Sequence, residues 1–271
     1  MILLLGGTSD ARELAQLLHE AKLPVLTNIV HENGAAEYRS LDLNVRCGRL
    51  DETSMSALIQ QENISIVVDA THPFAELASH CAMKASKQNS VLYMRFERPP
   101  LQELEKFRTH EKLHFVQTYE EAAEKVLILQ KKSQHSTSTK QIVMLTTGAK
   151  NLDLFVNRFK SEKTMETIAR VLPRSESINE CERLGLAQKN IVALQGPFSE
   201  ELNRALFEKY KVTIMVTKES GKQGSTAEKI NTALQMNIET ILIERPQILY
   251  ENSFNEKTKI VSAIQKIFPE N

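Results

Sequence analysis

The first eleven residues contain a glycine-rich turn of the kind that binds phosphate groups. The segment MILLLGGTSDA opens with an apolar run, Ile2–Leu5, which is typical of a central parallel strand buried on both faces. Gly6 and Gly7 allow a sharp turn, and Asp10 with Glu13 predicts a capping box at the start of a helix. Such a turn directs N–H groups and the positive end of the helix dipole at an anion.

This turn departs from the full dinucleotide-binding pattern G-x-G-x-x-G, because the three glycine positions hold Gly6, Thr8 and Ala11. Thr8 hinders the closest backbone approach but offers a hydroxyl, and Ala11 is small enough for tight packing. The second predicted strand, residues 24–30, lacks an acid at its end for ribose hydroxyls, which slightly favours a phosphorylated ribose bound by Arg39 or Arg46. A plain strand-to-helix connection is the alternative for the turn.

A second candidate site follows the β-branched strand at residues 64–70. This strand runs into Thr71 and His72, and Pro73 is predicted as the first residue of the next helix. The carboxyl ends of parallel strands are where ligands bind in open sheets, so His72 is a candidate proton donor. The alternative is a turn histidine whose hydrogen bonds are satisfied locally.

A third candidate site follows the predicted strand at residues 212–217. The loop after it contains Lys218, Ser220, Gly221 and Lys222, and a helix is predicted to follow. Backbone amides, a hydroxyl and a cation beside a helix N-terminus form a second potential anion site. A glycine-rich surface loop is the structural alternative.

One short motif points to different chemistry. His110-Glu111-Lys112-Leu113-His114 matches H-E-x-x-H, which binds zinc in metalloproteases when both histidines share one helix face. Thr118 and Glu121 predict a helix start after the motif, and residues 113–116 look extended. An extended segment separates the two side chains, so a zinc hydrolase is the minor hypothesis.

Composition narrows the classes of function. The chain has 271 residues, with 34 Lys+Arg balanced by 34 Asp+Glu, so no overall charge attracts nucleic acid or an anionic membrane. The three cysteines are far apart, which predicts neither a disulfide framework nor a cysteine zinc site. No apolar run reaches the roughly 18 residues that span a bilayer, and no signal peptide is recognisable. We therefore expect a cytoplasmic protein.

The pattern of strands and helices predicts an α/β protein with two domains. The expected domains are residues 1–110, with the glycine turn, and residues 111–250, with the lysine-containing loop; a C-terminal helix, residues 251–271, has no predicted docking site. Two short repeats suggest similar halves. Pro73-Phe74-Ala75-Glu76 is similar to Pro197-Phe198-Ser199-Glu200, and Glu97-Arg98-Pro99 is similar to Glu244-Arg245-Pro246.

Seven short motifs occur in a distinctive order: LLLGGTSDA, VVDATHPFA, RFERPP, LTTGAKNL, LQGPFSEELN, VTKESG followed by Gly224, and ILIERP. Together they resemble the precorrin-6A reductase family of cobalamin biosynthesis, which includes the cobalt-precorrin-6A enzymes. The resemblance covers about Met1 to Pro246. It implies two Rossmann-like domains with parallel sheets, a cleft between them, and a nicotinamide cofactor, NADPH or NADH. The implied reaction reduces one double bond of a corrin precursor to give the 6B dihydro product.

The resemblance also implies roles for individual residues. The expected cofactor contacts are Gly6, Gly7, Thr8, Ser9, Thr71, His72, Thr147, Gly148, Gln195, Gly196, Lys218, Ser220 and Gly221. The cations near strand ends that we expect to bind the acidic side arms of the substrate are Arg95, Arg98, Arg170, Arg174 and Lys222. No tightly bound metal is expected. The corrin precursor is the expected partner of a monomer or small homo-oligomer, and a non-catalytic nucleotide-sensing module is a further alternative.

Overall fold

A computed structural model describes residues 1–99, 102–134, 140–221 and 225–268 of the protein. The strands in these ranges are β1 (Ile2–Leu5), β2 (Val25–Ile29), β3 (Val45–Cys47), β4 (Ile66–Asp69), β5 (Leu92–Phe96), β6 (Leu113–Val116), β7 (Gln141–Leu145), β8 (Met165–Val171), β9 (Ile191–Ala193), β10 (Ile214–Lys218), β11 (Glu239–Ile243) and β12 (Ser253–Phe254). The α-helices are α1 (Ser9–Glu20), α2 (Glu32–Arg39), α3 (Glu52–Gln61), α4 (Glu76–Gln88), α5 (Tyr119–Gln134), α6 (Leu152–Phe159), α7 (Ser175–Arg183), α8 (Glu200–Tyr210), α9 (Thr226–Gln235) and α10 (Lys257–Ile267). Short 3-10 helices occur at Gln102–Phe107 and Gln188–Asn190.

The chain forms two compact units. The first unit comprises Met1–Pro99 together with Pro246–Asn271, and the second comprises Pro100–Arg245. The chain therefore leaves the first unit after Pro99 and returns to it at Pro246. Both points lie at the proline of the repeated Glu-Arg-Pro sequences, which follow β5 and β11.

The first unit is built on a parallel sheet with strand order β12-β5-β4-β1-β2-β3. Its central strand β1 is buried along its whole length, as its unbroken apolar sequence predicts. The strand that follows β3 in the chain, β4, lies on the other side of β1, so the order reverses between β1 and β4. In doubly wound α/β sheets, ligands bind beside the carboxyl ends of the strands at this reversal.

The second unit repeats the same plan around β7. Its parallel sheet has the order β6-β11-β10-β7-β8-β9, and the reversal lies between β7 and β10. In each sheet, the edge strand beside β5 or β11 is out of sequence order. Strand β12 comes after the second unit in the chain, and β6 precedes the other strands of its sheet. The predicted fold class, α/β with two parallel sheets, is confirmed.

The division between the units differs from the expected boundary after residue 110. Leu104 is buried in the core of the second unit and Phe107 packs against that core, so the segment before residue 110 belongs to the second unit. The C-terminal helix α10 packs on α1 in the first unit. Its Ile260 and Ile264 are fully buried in one cluster with Leu14.

Several local expectations need correction. The polar, low-complexity segment at residues 131–140 predicts a surface loop, but helix α5 continues to Gln134. Residues 135–139 lie outside the described ranges. The repeat at Pro73 and Pro197 does not mark equivalent positions, because one follows β4 and the other follows β9, whereas β10 is the counterpart of β4. The Glu-Arg-Pro repeat does mark equivalent positions, after β5 and β11.

Candidate active site

The carboxyl end of β1 carries the glycine turn. A side chain at Gly6 would place its Cβ 2.6 Å from Ile29 Cδ1 and 3.2 Å from Thr27 Cγ2, so those side chains would have to shift to admit it. Gly7 has a φ of 106°, a conformation that favours glycine, and no atom lies within 4 Å of where its Cβ would be. The turn therefore presents open backbone at the start of α1, as a cradle for a phosphate group requires.

Thr8 caps α1, and the predicted capping box at Asp10 is wrong. The Thr8 hydroxyl accepts a hydrogen bond from Ala11 N at 3.1 Å and donates one to Ala70 O at 3.1 Å. The second bond crosses the strand reversal from the β1 turn to the end of β4. The hydroxyl that we expected to serve a ligand thus already holds the turn to its neighbour.

Asp10 lies in the first turn of α1, where it forms two ion pairs. Its carboxylate lies 2.6 Å from Arg98 Nε and 2.7 Å from Lys257 Nζ. An unpaired carboxylate would repel an anion at this helix N-terminus, and the two cations offset that charge. Arg98, expected to bind substrate, is placed beside the glycine turn by this contact.

Near its carboxyl end, the neighbouring strand β2 carries an amide, Asn28, and no acid that could bind ribose hydroxyls. Asn28 accepts a hydrogen bond from Arg46 Nη1 at 2.8 Å and donates one to Gly48 O at 3.2 Å. Arg39 is instead paired with Glu32 on the surface of α2. Of the two arginines considered for a phosphorylated ribose, the structure orients Arg46 at the end of β2.

His72 lies in a turn after β4. Its Nδ1 accepts a hydrogen bond from Phe74 N at 3.2 Å, and Ala75 N donates to His72 O at 2.8 Å. Pro73 lies in this turn, and α4 begins later, at Glu76, so the expectation that Pro73 opens the helix is wrong. With Nδ1 accepting, a neutral His72 carries its proton on Nε2.

Arg95 is fully buried, which places its charge away from solvent. Its guanidinium pairs with Asp69 at 2.8 Å and with Glu97 at 2.9 Å. In the described conformation it offers no surface to the acidic arms of a substrate. Through these contacts, Arg95 supports the turn that follows β4.

The β7 turn in the second unit repeats one contact of the glycine turn. Thr146 Oγ1 donates to Val216 O at 3.1 Å, which joins the residue after β7 to the middle of β10 across the strand reversal. Gly148 has a φ of 86°, and no atom lies within 4 Å of where its Cβ would be. Thr147 is buried, and among the described residues its Oγ1 has no hydrogen-bond partner.

Three basic residues lie on elements of this unit: Arg170 on β8, Lys218 on β10 and Lys229 on α9. Arg170 and Lys218 are both near enough to Lys229 for their charges to act on it. Arg170 and Lys229 are only 6% and 4% exposed. One Arg170 N–H donates to Asn203 Oδ1 at 2.8 Å, and the guanidinium lies 4.2 Å from the centre of the Phe198 ring. Among the described residues, neither Arg170 nor Lys229 has a carboxylate within ion-pair distance. We call these three residues the basic cluster.

Burial shifts the acid–base behaviour of the basic cluster. It lowers the pKa of Arg170 to about 10. Burial, with repulsion from Lys150, lowers the pKa of Lys218 to about 8. The pKa of Lys229 falls well below its ordinary value through burial and then repulsion by Arg170 and Lys218, against a smaller opposing effect of Glu228. Among the described residues, Arg170 and Lys229 are buried with no carboxylate within ion-pair distance, which is the arrangement expected of a site for an anionic ligand.

The remaining predicted residues of the second unit lie on loops around this edge. Gln195, Gly196 and Arg174 are exposed, and Arg174 precedes α7. Ser220 Oγ lies 3.2 Å from Thr226 Oγ1, and Gly221 has a φ of 82°. Lys222 lies outside the described residues.

Sequence reasoning missed Lys229 and Asn203. Lys229 lies on the buried face of α9, between the buried residues Thr226 and Ile230, so a charged residue within an apolar helical stripe was the available signal. Asn203 has no such signal, because an amide in a helix is ordinary. Its role is evident only from the structure, in which its buried side-chain oxygen accepts a hydrogen bond from Arg170.

The two histidines of the H-E-x-x-H motif do not share a helix. His114 lies on β6 with its Nε2 2.8 Å from Glu239, and His110 Nδ1 accepts from Lys112 N at 3.2 Å. Among the residues described, no group of three metal-binding side chains occurs. The expected extended conformation of residues 113–116 is confirmed, and it removes the geometric basis of the zinc hypothesis.

The fold defines a class: α/β proteins with two doubly wound parallel sheets. The family model described as precorrin-6x reductase CbiJ/CobK matches residues 1–267. The chain is 39% identical to a cobalt-precorrin-6A reductase of Priestia megaterium, over 97% of this chain and 98% of the relative. It is 35% identical to a cobalt-precorrin-6A reductase of Salmonella typhimurium, over 90% of this chain and 87% of the relative.

A solved structure described as CobK precorrin-6A reductase has the same fold, with a TM-score of 0.74 at 22% identity; the match covers 98% of this chain and 96% of that one. The chain belongs to the precorrin-6x reductase family. It is thus an oxidoreductase of cobalamin biosynthesis, which excludes the hydrolase and the non-catalytic sensor. No helix in the described ranges is long and apolar enough to cross a bilayer.

Proposed function

We propose that this protein transfers hydride from NADH or NADPH to one double bond of precorrin-6A or its cobalt form, giving the 6B dihydro product. The observation that carries the substrate class is the basic cluster, since a corrin precursor has many acidic arms. The family and its curated relatives support the reaction.

The first unit supplies the groups that fit a dinucleotide. Open backbone at Gly7, the N-terminus of α1 and the paired cations Arg98 and Lys257 suit a pyrophosphate. A bound nicotinamide would supply the hydride, and the protein would supply its orientation and the surrounding charges. Ser9, Thr71 and His72 complete the proposed cofactor contacts of this unit.

The second unit supplies the groups that fit the substrate. Arg170 uses one of its five N–H donors on Asn203, so the others can be directed to carboxylates. Lys218 lies with Arg170 and Lys229, and we therefore move it from the expected cofactor contacts to the proposed substrate contacts. That Thr147, Gly148, Gln195, Gly196, Ser220 and Gly221 contact the cofactor stays a prediction, as do the roles of Arg174 and Lys222.

His72 is the proposed proton donor. Hydride addition to a conjugated ring must be matched by one proton. The described His72 ring is neutral, because its Nδ1 accepts a hydrogen bond from the Phe74 amide, so His72 would have to take up a proton and donate as the imidazolium. A conjugated macrocycle spreads the developing charge, so one modest acid suffices.

The decisive experiment combines the purified protein with precorrin-6A or cobalt-precorrin-6A and follows oxidation of NADH and NADPH. We expect one nicotinamide oxidised for each substrate reduced, and a fluorescence titration identifies the preferred cofactor. Oxidation of neither cofactor with either substrate would overturn the proposal. A monomer or small homo-oligomer, cytoplasmic location and the lack of nucleic-acid or membrane partners stay predictions, and sedimentation measures the first.

A further inference from the structure

A buried hydrogen-bond network lies directly beneath the β4 turn. Asp69, the last residue of β4, is fully buried and pairs in register with Arg95 on β5. Its Oδ2 accepts hydrogen bonds from Ser79 Oγ at 2.6 Å and Tyr93 OH at 2.8 Å. Its Oδ1 accepts from Arg95 Nη1 at 2.8 Å. Burial acts to raise the pKa of Asp69, but the Arg95 charge and these hydrogen bonds outweigh it, so the carboxyl is ionised.

Asp69 and Arg95 both form hydrogen bonds with Thr71. Thr71 N donates to Asp69 Oδ1 at 3.0 Å, and Thr71 Oγ1 donates to the same oxygen at 2.7 Å. Arg95 Nη1 in turn donates to Thr71 Oγ1 at 3.1 Å. Three hydrogen bonds to a buried ion pair thus fix the residue that precedes His72.

The returning C-terminal segment completes the network. The Tyr250 ring lies 5.1 Å from the Arg95 guanidinium carbon and stacks on Tyr93, with 6.4 Å between ring centroids. Asn252 O accepts a hydrogen bond from Arg95 N at 2.8 Å. The network therefore combines β4, β5, α4 and a segment that follows the whole second unit.

Stability alone is a weak reason for this arrangement. Removing two charges from water opposes their attraction, and well-packed apolar residues often replace a buried ion pair without loss of stability. Here the polar groups converge on a turn at the ligand edge. A fixed geometry of that turn is what the network provides and what apolar packing would not.

We propose that Asp69 and Arg95 are positioning residues that act through Thr71 to hold His72 at the substrate, with Tyr250 fixing the guanidinium. This inference rests on the proposed reductase function. It changes the role of Arg95 from a substrate contact to a support of the site.

The test is Thr71→Val, which keeps the branched shape and removes the hydroxyl. Loss of a precise orientation lowers catalysis, so we expect kcat to fall by about tenfold to a hundredfold at a temperature where the variant is fully folded. The lost hydrogen bond to the buried Asp69 carboxylate should also lower the melting temperature. Thr71→Ser restores the hydroxyl and should recover most of the activity. Thr240→Val is the matched control, because Thr240 is fully buried near the amino end of β11 and its hydroxyl donates to the backbone oxygen of Ile238.

Two further measurements separate positioning from folding. Asp69→Asn should lower kcat, and adding Thr71→Val to it should cause little further loss, because both changes break one network. The ¹⁵N shifts of the His72 ring, assigned with His72→Gln, should change in Thr71→Val and return in Thr71→Ser. Wild-type kinetics and unchanged ring shifts in Thr71→Val would overturn the inference. An inactive wild-type protein would instead overturn the proposed function, and the ring shifts would still test the positioning.

Discussion

Buried cations without carboxylates are the most informative single residues in this protein. Lys229 is 4% exposed, and its ammonium group lies near two other positive charges. A protein that needed only stability would place an apolar side chain there, because burial disfavours the charged form. The residue therefore indicates a compromise between folding and ligand binding.

Lys229→Met tests this compromise. We expect the free energy of unfolding to rise by on the order of 1 kcal/mol, because Met has a similar length and carries no charge. We expect affinity for the polycarboxylate substrate to fall at the same time. Denaturant titration and substrate titration measure the two effects, and Lys209→Met, on the exposed face of α8, should change neither. A destabilised Lys229→Met with normal affinity would show that Lys229 is a structural residue.

Lys218 predicts how binding depends on pH. Its pKa is lowered from 10.5 to about 8, so its charge is lost as the pH rises through that value, while substrate carboxylates stay ionised. Affinity for the substrate should therefore fall between about pH 7 and about pH 9. The unfolded chain binds more protons than the folded one from about pH 8 to 10.5, so this residue's contribution to stability becomes more favourable across that interval.

Lys218→Arg is the matched variant for this pH effect. Arginine remains protonated throughout the same range, so the decline in affinity should be absent or much smaller. Isothermal titration at several pH values measures both proteins. An equal decline in both would assign the effect to another group of the site, such as Lys229.

Among the elements, α10 stabilises a region that is distant in the sequence, the helix α1 near the start of the chain. Ile260 and Ile264 are fully buried beside α1, the helix that begins at the glycine turn. Lys257 at the start of α10 forms ion pairs with Asp10 and Glu13 of α1. The helix thus supports the proposed cofactor edge without contributing a loop to it.

Ile264→Ala should lower the free energy of unfolding by about 2–4 kcal/mol, because it leaves a cavity between α10 and α1. Ile267→Ala on the same helix is the control, since Ile267 is 47% exposed and should cost much less. Urea unfolding measures both variants. Similar losses for the two would contradict the observed packing of α10.

Strands and turns were predictable where local chemistry dominates. The apolar runs of β1 and β7 and the small-residue turns after them are visible in the sequence, and the structure has them. The cap of α1 was misassigned because Thr8 and Asp10 are both good capping residues, and only the contact with Ala70 favours Thr8. Arg95 could not be assigned from sequence, since its partner Asp69 is a neighbour only across the sheet.

On the scale of the whole molecule, the two units have the same order of strands around a central strand, β1 or β7. In each unit a threonine after the central strand donates a hydrogen bond to the adjacent strand or to the residue that follows it. Thr8 makes this bond in the first unit and Thr146 in the second. The sequence predicted two similar halves but not that the first unit is discontinuous, because β12 has only two residues and no periodic pattern.

The discontinuity leads to a test with fragments. Residues 1–99 alone lack β12 and α10, so they should remain largely unfolded, whereas residues 1–99 joined by a short linker to residues 246–271 should fold cooperatively. Circular dichroism and thermal unfolding compare the two chains. Cooperative folding of residues 1–99 alone would show that the returning segment is dispensable.

The late arrival of β12 and α10 has a consequence for synthesis on the ribosome. The outer edge of β5 and the apolar stripe of α1 stay uncovered until the segment after residue 245 has been translated, because their partners lie in that segment. An open strand edge and bare leucines invite association with other chains. We therefore expect the nascent polypeptide to be most prone to association before β12 and α10 have emerged from the ribosome.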